Sequence, residues 1–282
     1  MNFRSKETKD FIHRCFQEDI RDGDHSTLSC IPKTARGKAK LLFKAEGIVA
    51  GIDLAKSILE ELGEFQYETF KADGDSVEYG DLGFIVEGPV HGILAGERLL
   101  LNCMQRLSGI ATYTNKLTQL MGDSRSKLLD TRKTTPGLRF LEKWAVTVGG
   151  GFNHRHGLYD MIMLKDNHID YAGGITKAVD QTRIYLQKNG LDLRVEVETR
   201  NIQEVKEALS CKGVDRIMLD NFSPSEIKEA LKIIDGKVET EASGGINEET
   251  IASYAETQVD FISIGALTHS VKSLDISLKE HE

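Results

Sequence analysis

The sequence predicts an α/β protein in two parts, an N-terminal α+β module followed by a short or incomplete α/β barrel. Three observations predict it. The chain has 282 residues, enough for one large core or two modest ones. Its first hundred or so residues mix helical and strand patterns without regular alternation, as an antiparallel α+β module does. From residue 126 onward, short β-rich runs alternate in register with helical runs, the pattern of a parallel sheet or barrel. An open doubly wound sheet is the alternative for this second part.

Each element has its own signal. Residues 3–19 space Phe3, Phe11, Ile12, Cys15 and Phe16 as a helix does. KAKLLFKAEGIVAG (38–51) reads as strand and turn, and LAKSILEELG (54–63) as a helix ended by Gly63. Residues 67–94 read as short strands joined by Gly and Asp turns. A long helical pattern follows over 96–121, with Leu100, Met104, Leu107, Ala111, Thr114 and Leu117 on one face and a kink or break expected at Gly109. The strand candidates of the second part are KLLDTR, DMIMLKD, LRVEVET, DRIMLDN, KVETEASGG and DFISIGA. Between them lie helical runs beginning at Ile175, Ile202, Ser223 and Asn247, the last two with helix-start chemistry. Such a strand count is slightly short of a full barrel of about eight.

Composition narrows the function. With a formal net charge of −8, the chain is a poor general binder of nucleic acid or membrane surfaces. No apolar run approaches the roughly 20 residues that span a bilayer, and the N-terminal stretch is too polar for a signal peptide. Cys15, Cys30, Cys103 and Cys211 are scattered without a C-x-x-C pair, so free thiols in a reducing cytoplasm are expected.

In parallel α/β folds, chemistry collects where strands end and the following loops begin. The first predicted strand ends in Thr131, Arg132 and Lys133, ahead of a Thr-Thr-Pro-Gly loop and Arg139. The next ends at Lys165, Asp166, Asn167 and His168, and a connecting GGGFNHRHGLYD adds His154, Arg155 and His156. Later strands end in Glu198 after Glu196, in Asp220-Asn221, in Ser243-Gly244-Gly245, and in Gly265-Ala266. Singly, each has a plain explanation. A lone cation after a strand is usually solvated, Gly-Gly before a helix is often only tight packing, and Glu196 and Glu198 both face solvent if their strand is two-sided. Their recurrence at equivalent positions in successive βα units argues for a site.

Charge sharpens that reading. Between residues 132 and 168 stand six Lys or Arg against three Asp or Glu, so this segment is +3 within an acidic chain. Local positive charge of that size suits a small, strongly charged anion. Arg recognises carboxylate and phosphate with two parallel hydrogen bonds, and Lys acts as a point charge. Glu198 and Asp220 offer oxygen ligands only, which favours Mg²⁺ over zinc. The glycines at the last two strand ends offer backbone N–H groups to a phosphate. A cationic cup, a divalent-metal position and a phosphate seat together match a phosphoribosyl diphosphate substrate.

Eight stretches in order carry a resemblance to the quinolinate phosphoribosyltransferase family. They are EDIRDGDHST (18–27), GERLLLNCMQRLSGIAT (96–112), LDTRKTTPGLR (129–139), GGGFNHRHGLYDMIMLKDNH (149–168), VEVET (195–199), MLDN (218–221), EASGGI (241–246) and SIGALTHS (263–270). Arg21-Asp22 stands where the family commonly has Gly, outside the catalytic cup. The resemblance implies an N-terminal α/β sandwich over 1–108, joined by the C-terminal tail at about 271–282, and an incomplete six- or seven-stranded α/β barrel over 109–270. It implies a Mg²⁺-dependent transfer of phosphoribosyl from phosphoribosyl diphosphate to quinolinate, with decarboxylation, for NAD biosynthesis. It also implies a homodimer, sometimes assembled further, in which Arg98 is donated across the interface.

By residue matching, Arg132, Arg155 and Lys165 face the quinolinate carboxylates, with His154 nearby. Lys133, Glu198 and Asp220 face the phosphoribosyl group and its metal. Ser243, Gly244, Gly245, Gly265 and Ala266 hold the 5′-phosphate, with His269 close by; Thr131, Arg139 and His168 complete the expected substrate-binding set. Lys133, Lys165, Glu198 and Asp220 are the expected catalytic residues. Water, or a nearby acid such as Lys133 or His154, is the candidate to return the final proton. Two other functions stand beside this one: a ModD-like relative with another substrate, and a non-catalytic sugar-phosphate-binding barrel.

Overall fold

The structure, a computed structural model, describes residues 1–281. From the N-terminus run α1 (Lys6–Asp19), α2 (His25–Cys30), β1 (Arg36–Phe43), β2 (Gly47–Ile48), α3 (Ile52–Glu60), β3 (Gln66–Thr69), β4 (Ser76–Val77), β5 (Leu82–Pro89) and α4 (Val90–Leu120). There follow β6 (Lys127–Leu129), α5 (Arg139–Val148), β7 (Ile162–Leu164), α6 (Asp166–Ala172), α7 (Ile175–Asn189), β8 (Val195–Thr199) and α8 (Ile202–Ser210). The chain ends with β9 (Arg216–Asp220), α9 (Pro224–Ile234), β10 (Glu239–Ser243), α10 (Ile251–Ala255), β11 (Phe261–Ser263), α11 (Ala266–His269) and β12 (Ile276–His281). Two compact units result: residues 1–115, 140–150 and 271–282, and residues 116–139 and 151–270.

The first unit is built on a four-stranded antiparallel sheet in the order β12-β1-β5-β3. Strand β1 alternates as a half-buried strand should, with Ala39, Leu41 and Phe43 inward. The C-terminal tail supplies β12, which pairs with β1 from Lys38↔His281 to Phe43↔Ile276. Helix α4 runs through Gly109 without the break that was one expectation there. The glycine serves a close approach instead, since a Cβ there would overlap the Lys272 carbonyl oxygen. Helix α5, which no sequence pattern above announces, buries Leu141, Ala145 and Val146 along with Glu142 and Lys143. Arg106 pairs with Glu142 at 2.6 Å. Glu142 and Lys143 therefore leave the cationic segment together, and its net +3 stands.

The second unit carries a six-stranded parallel sheet in the order β6-β11-β10-β9-β8-β7. From β7 to β11 every strand lies beside its successor, and β6 closes onto β11. No order reversal occurs, so this is barrel topology and the doubly wound alternative does not apply. Strands β6 and β7 are its two free edges; Phe152 bridges Leu129 beside β6. Helix α9 shows how the βα units are punctuated. Ser223 caps the Glu226 N–H, Glu226 accepts the Ser223 N–H at 2.8 Å, and Pro224 occupies the first turn, where no donor is needed. At Asn247, by contrast, the side chain closes a turn and α10 starts only at Ile251.

Register sets what stands inside. Across β8, β9 and β10, Glu196 faces Arg216, which faces Glu239; Glu198 faces Met218, which faces Glu241; and Asp220 faces Ser243. Because side chains alternate with a period of two, these rows share one face and stack in layers. The interior of such barrels is ordinarily filled by branched apolar side chains. Here charged layers lie beneath the strand ends.

Candidate active site

At the C-terminal ends of the six strands lies a cavity of about 840 Å³, a usual size for a small-molecule site. Thr131, Arg132 and Lys133 enter from the loop after β6, His154 and Arg155 from the segment before β7, and Lys165 from the end of β7. Glu198, Asp220, Ser243, Gly244 and Gly245 come from β8, β9 and β10. Gly265, Ala266 and His269 follow β11.

The cationic wall is held by local hydrogen bonds. Thr131 accepts the Lys133 N–H at 3.0 Å, and Thr268 donates to the Lys133 carbonyl at 2.9 Å. Asp130, fully buried, accepts the His154 N–H at 2.8 Å and so ties the two contributing segments together. Asp160 accepts the N–H groups of His156 and Gly157 at 2.6 and 2.9 Å. Arg155 donates to the Met161 carbonyl at 3.1 Å, which spends one of its five N–H groups. Burial and the charge of Arg132 lower the Arg155 pKa, a sign of cations crowded together. The Arg132 Nε is buried with no hydrogen-bond partner among the described residues. Buried donors are ordinarily satisfied, so this one points to a ligand.

The opposite wall is acidic and glycine-rich. Glu198 is half-buried, and burial together with the charge of Asp220 raises its pKa. Two oxygen-donor carboxylates that repel each other fit a hard divalent cation such as Mg²⁺. Asp220 accepts from the Asn221 amide at 2.6 Å. Asn221 itself is left-handed, φ 59°, with its N–H bonded to the Ser243 carbonyl at 2.8 Å. Gly244 must be glycine on two counts: its φ is +99°, and a Cβ would overlap the Asn221 side chain. Gly265 leaves room for Lys133, whose Cδ would lie 2.8 Å from a Cβ placed there.

Arg139 and His168, expected at the site, stand off the cavity wall, while Arg98 is expected to serve a partner's site. Arg139 is a brace: its guanidinium donates to the Thr134 hydroxyl and the His156 carbonyl, each at 3.0 Å, and so pins the loop after β6. His168 accepts the Lys165 N–H at 3.0 Å and closes the first turn of α6. Arg98 lies exposed on α4 in the first unit. Glu241, which sequence reasoning passed over, lines the cavity fully buried. Glu196 does not face solvent; it is fully buried as well. Strand parity was the signal for both, since Glu196 shares a face with Glu198 and Glu241 with Ser243.

Two family profiles cover nearly the whole chain: quinolinate phosphoribosyl transferase, N-terminal domain, over residues 24–108, and its C-terminal domain over 110–279. Quinolinate phosphoribosyltransferase (decarboxylating) 1 of Nicotiana glauca is 46% identical over 289 residues, which cover 96% of this chain and 81% of the relative. The probable nicotinate-nucleotide pyrophosphorylase (carboxylating) of Bacillus subtilis is 44% identical over 96% of this chain and 92% of its own. Among solved structures, NadC from Streptococcus pyogenes superposes with a TM-score of 0.94 at 38% identity, covering 100% of both chains.

Proposed function

The chain belongs to the quinolinate phosphoribosyltransferase family, and we propose that its cavity divides the reaction between a cationic wall for quinolinate and an acidic, glycine-rich wall for phosphoribosyl diphosphate. It is a decarboxylating pentosyltransferase of NAD biosynthesis, giving nicotinate mononucleotide, CO₂ and diphosphate. The observation that carries the division of labour is the buried, unpartnered Arg132 Nε beside Arg155.

Quinolinate is a dianion, and its co-substrate is more negative still. Arg132, Arg155 and Lys165 offset that repulsion and fix the ring for attack. A cation and a carboxylate about 4 Å apart near a protein surface attract by about 4 kcal/mol before desolvation is counted. Held in place, the pyridine nitrogen attacks C1 of the ribose as diphosphate departs. Positive charge grows on the ribose, and the carboxylates of Glu198 and Asp220 stabilise it. Those two residues would also hold Mg²⁺, which would supply charge neutralisation for the departing diphosphate. Ser243, Gly244, Gly245, Gly265 and Ala266 seat the 5′-phosphate on backbone N–H groups, with Thr131, Lys133 and His269 beside it. The pyridinium formed by transfer then loses its 2-carboxylate as CO₂. The new charge on nitrogen stabilises the electron pair left at C2 until a proton returns there.

The functional unit is a homodimer in which Arg98, exposed on α4 and with no part in its own chain's cavity wall, completes the partner's site. Among the described residues no helix is long and apolar enough to cross a membrane. Four free cysteines support a reducing compartment, and we place the enzyme in the cytoplasm; plant relatives are named as chloroplastic or mitochondrial.

Equilibrium binding tests the division directly. Arg132→Ala should weaken quinolinate binding on the order of tenfold or more, the loss of a charge-assisted contact, and leave phosphoribosyl diphosphate binding nearly unchanged. Equal losses for both ligands would remove Arg132 from the quinolinate wall.

A further inference from the structure

Residue 154 is held at four points. Its N–H reaches Asp130, and its Nδ1 accepts the N–H of Arg155 at 2.6 Å. Its Nε2 lies 3.0 Å from Glu196 Oε2 and 3.3 Å from Glu241 Oε2. An imidazole that accepts at Nδ1 carries its proton on Nε2, here aimed between two carboxylates. Beneath, Arg216 donates to Glu241 at 2.9 Å and to Glu239 at 3.0 and 3.2 Å, with its guanidinium 3.9 Å over the Phe261 ring. His154, Glu196 and Glu241 place ligand atoms within 4.8 Å of one another, as a metal site would. The cation that Glu241 requires is already present, however, in Arg216.

Such a network contributes little net stability, because each buried charge costs desolvation that an apolar core avoids. Its geometry instead runs from the strands to one peptide. We propose that Glu241 is a positioning residue: with Glu196 it locks the His154 ring, and through that ring it holds the Arg155 main chain so that the guanidinium meets quinolinate. This rests on the assignment of Arg155 to quinolinate made above. A second consequence concerns the last proton. Both nitrogens of His154 are engaged by protein groups, so the ring has no proton to direct at C2. That step falls to Lys133 or to water.

The test is steady-state kinetics of Glu241→Gln, alone and with Arg155→Ala. The amide keeps the side-chain shape and Arg216 keeps Glu239, and circular dichroism of each variant checks that it is folded before its kinetics are read. The expected result is a KM for quinolinate raised on the order of tenfold, the scale of a displaced binding group, with kcat and the KM for phosphoribosyl diphosphate within about twofold of the parent. Glu196→Gln, which loosens the same ring from its other side, should give the same split. In the Arg155→Ala background, Glu241→Gln should add almost nothing, because the residue it positions is gone. Equal rises in both KM values, a fall in kcat alone, or full additivity in the double variant would overturn the proposal. An unchanged quinolinate KM in Arg155→Ala by itself would overturn the prior assignment of Arg155, and the two failures are thereby told apart.

Discussion

Glu198 and Glu196 sit one pleat apart on β8, and the difference between their tasks is set by depth. Glu198 reaches the cavity half-buried; Glu196 is sealed below, against His154. Arg139 shows the converse, a cation spent on holding a loop while its neighbours Arg132 and Lys133 face the cavity. None of the four cysteines lines the cavity. Burial on α4, with the charge of Cys15 adding to it, pushes the Cys103 thiol up to about 12. A raised thiol pKa means less thiolate, the reactive form, at any pH below it. In folded protein at about pH 8, iodoacetamide should therefore modify exposed Cys30 and spare Cys103, with activity retained. Mass spectrometry finding Cys103 labelled as fast as Cys30 would contradict its raised pKa.

At the scale of elements, the six parallel strands were legible because each is a short β-rich run closed by a polar residue, and burial on both faces leaves little room for other patterns. The site residues at their ends were legible for the same reason, since topology brings equivalent positions together. Three things were not. Helix α5 was hidden because the cations and turn residues before it drew the segment toward a loop. The need for glycine at position 109 within α4 comes from the backbone at Lys272, far along the chain, and no local pattern records such an approach. The fates of Arg139 and His168 depend on which carbonyl or N–H lies within reach, a matter of loop geometry rather than residue type. Glu241 could have been found, because Glu239, Glu241 and Ser243 share one face of β10.

For the whole molecule, the chain's acidity and the cavity's cations are complementary. A net charge of −8 discourages polyanions, while Arg132, Arg155 and Lys165 gather at one cavity, a setting suited to a small anion. The assembly has its own test. If Arg98 is donated across a dimer, Arg98→Ala and Lys165→Ala should each be nearly inactive alone. Mixed after dissociation, they should recover about a quarter of parental activity, because each hybrid dimer rebuilds one intact site. No recovery from mixed, exchanged dimers would place Arg98 outside the partner's site. Transfer coupled to decarboxylation is tested most directly by CO₂ release from quinolinate labelled in its 2-carboxylate, measured with and without phosphoribosyl diphosphate and Mg²⁺. Release is expected only when quinolinate, phosphoribosyl diphosphate and Mg²⁺ are all present. Release without phosphoribosyl diphosphate, or none from folded protein given all three, would contradict it.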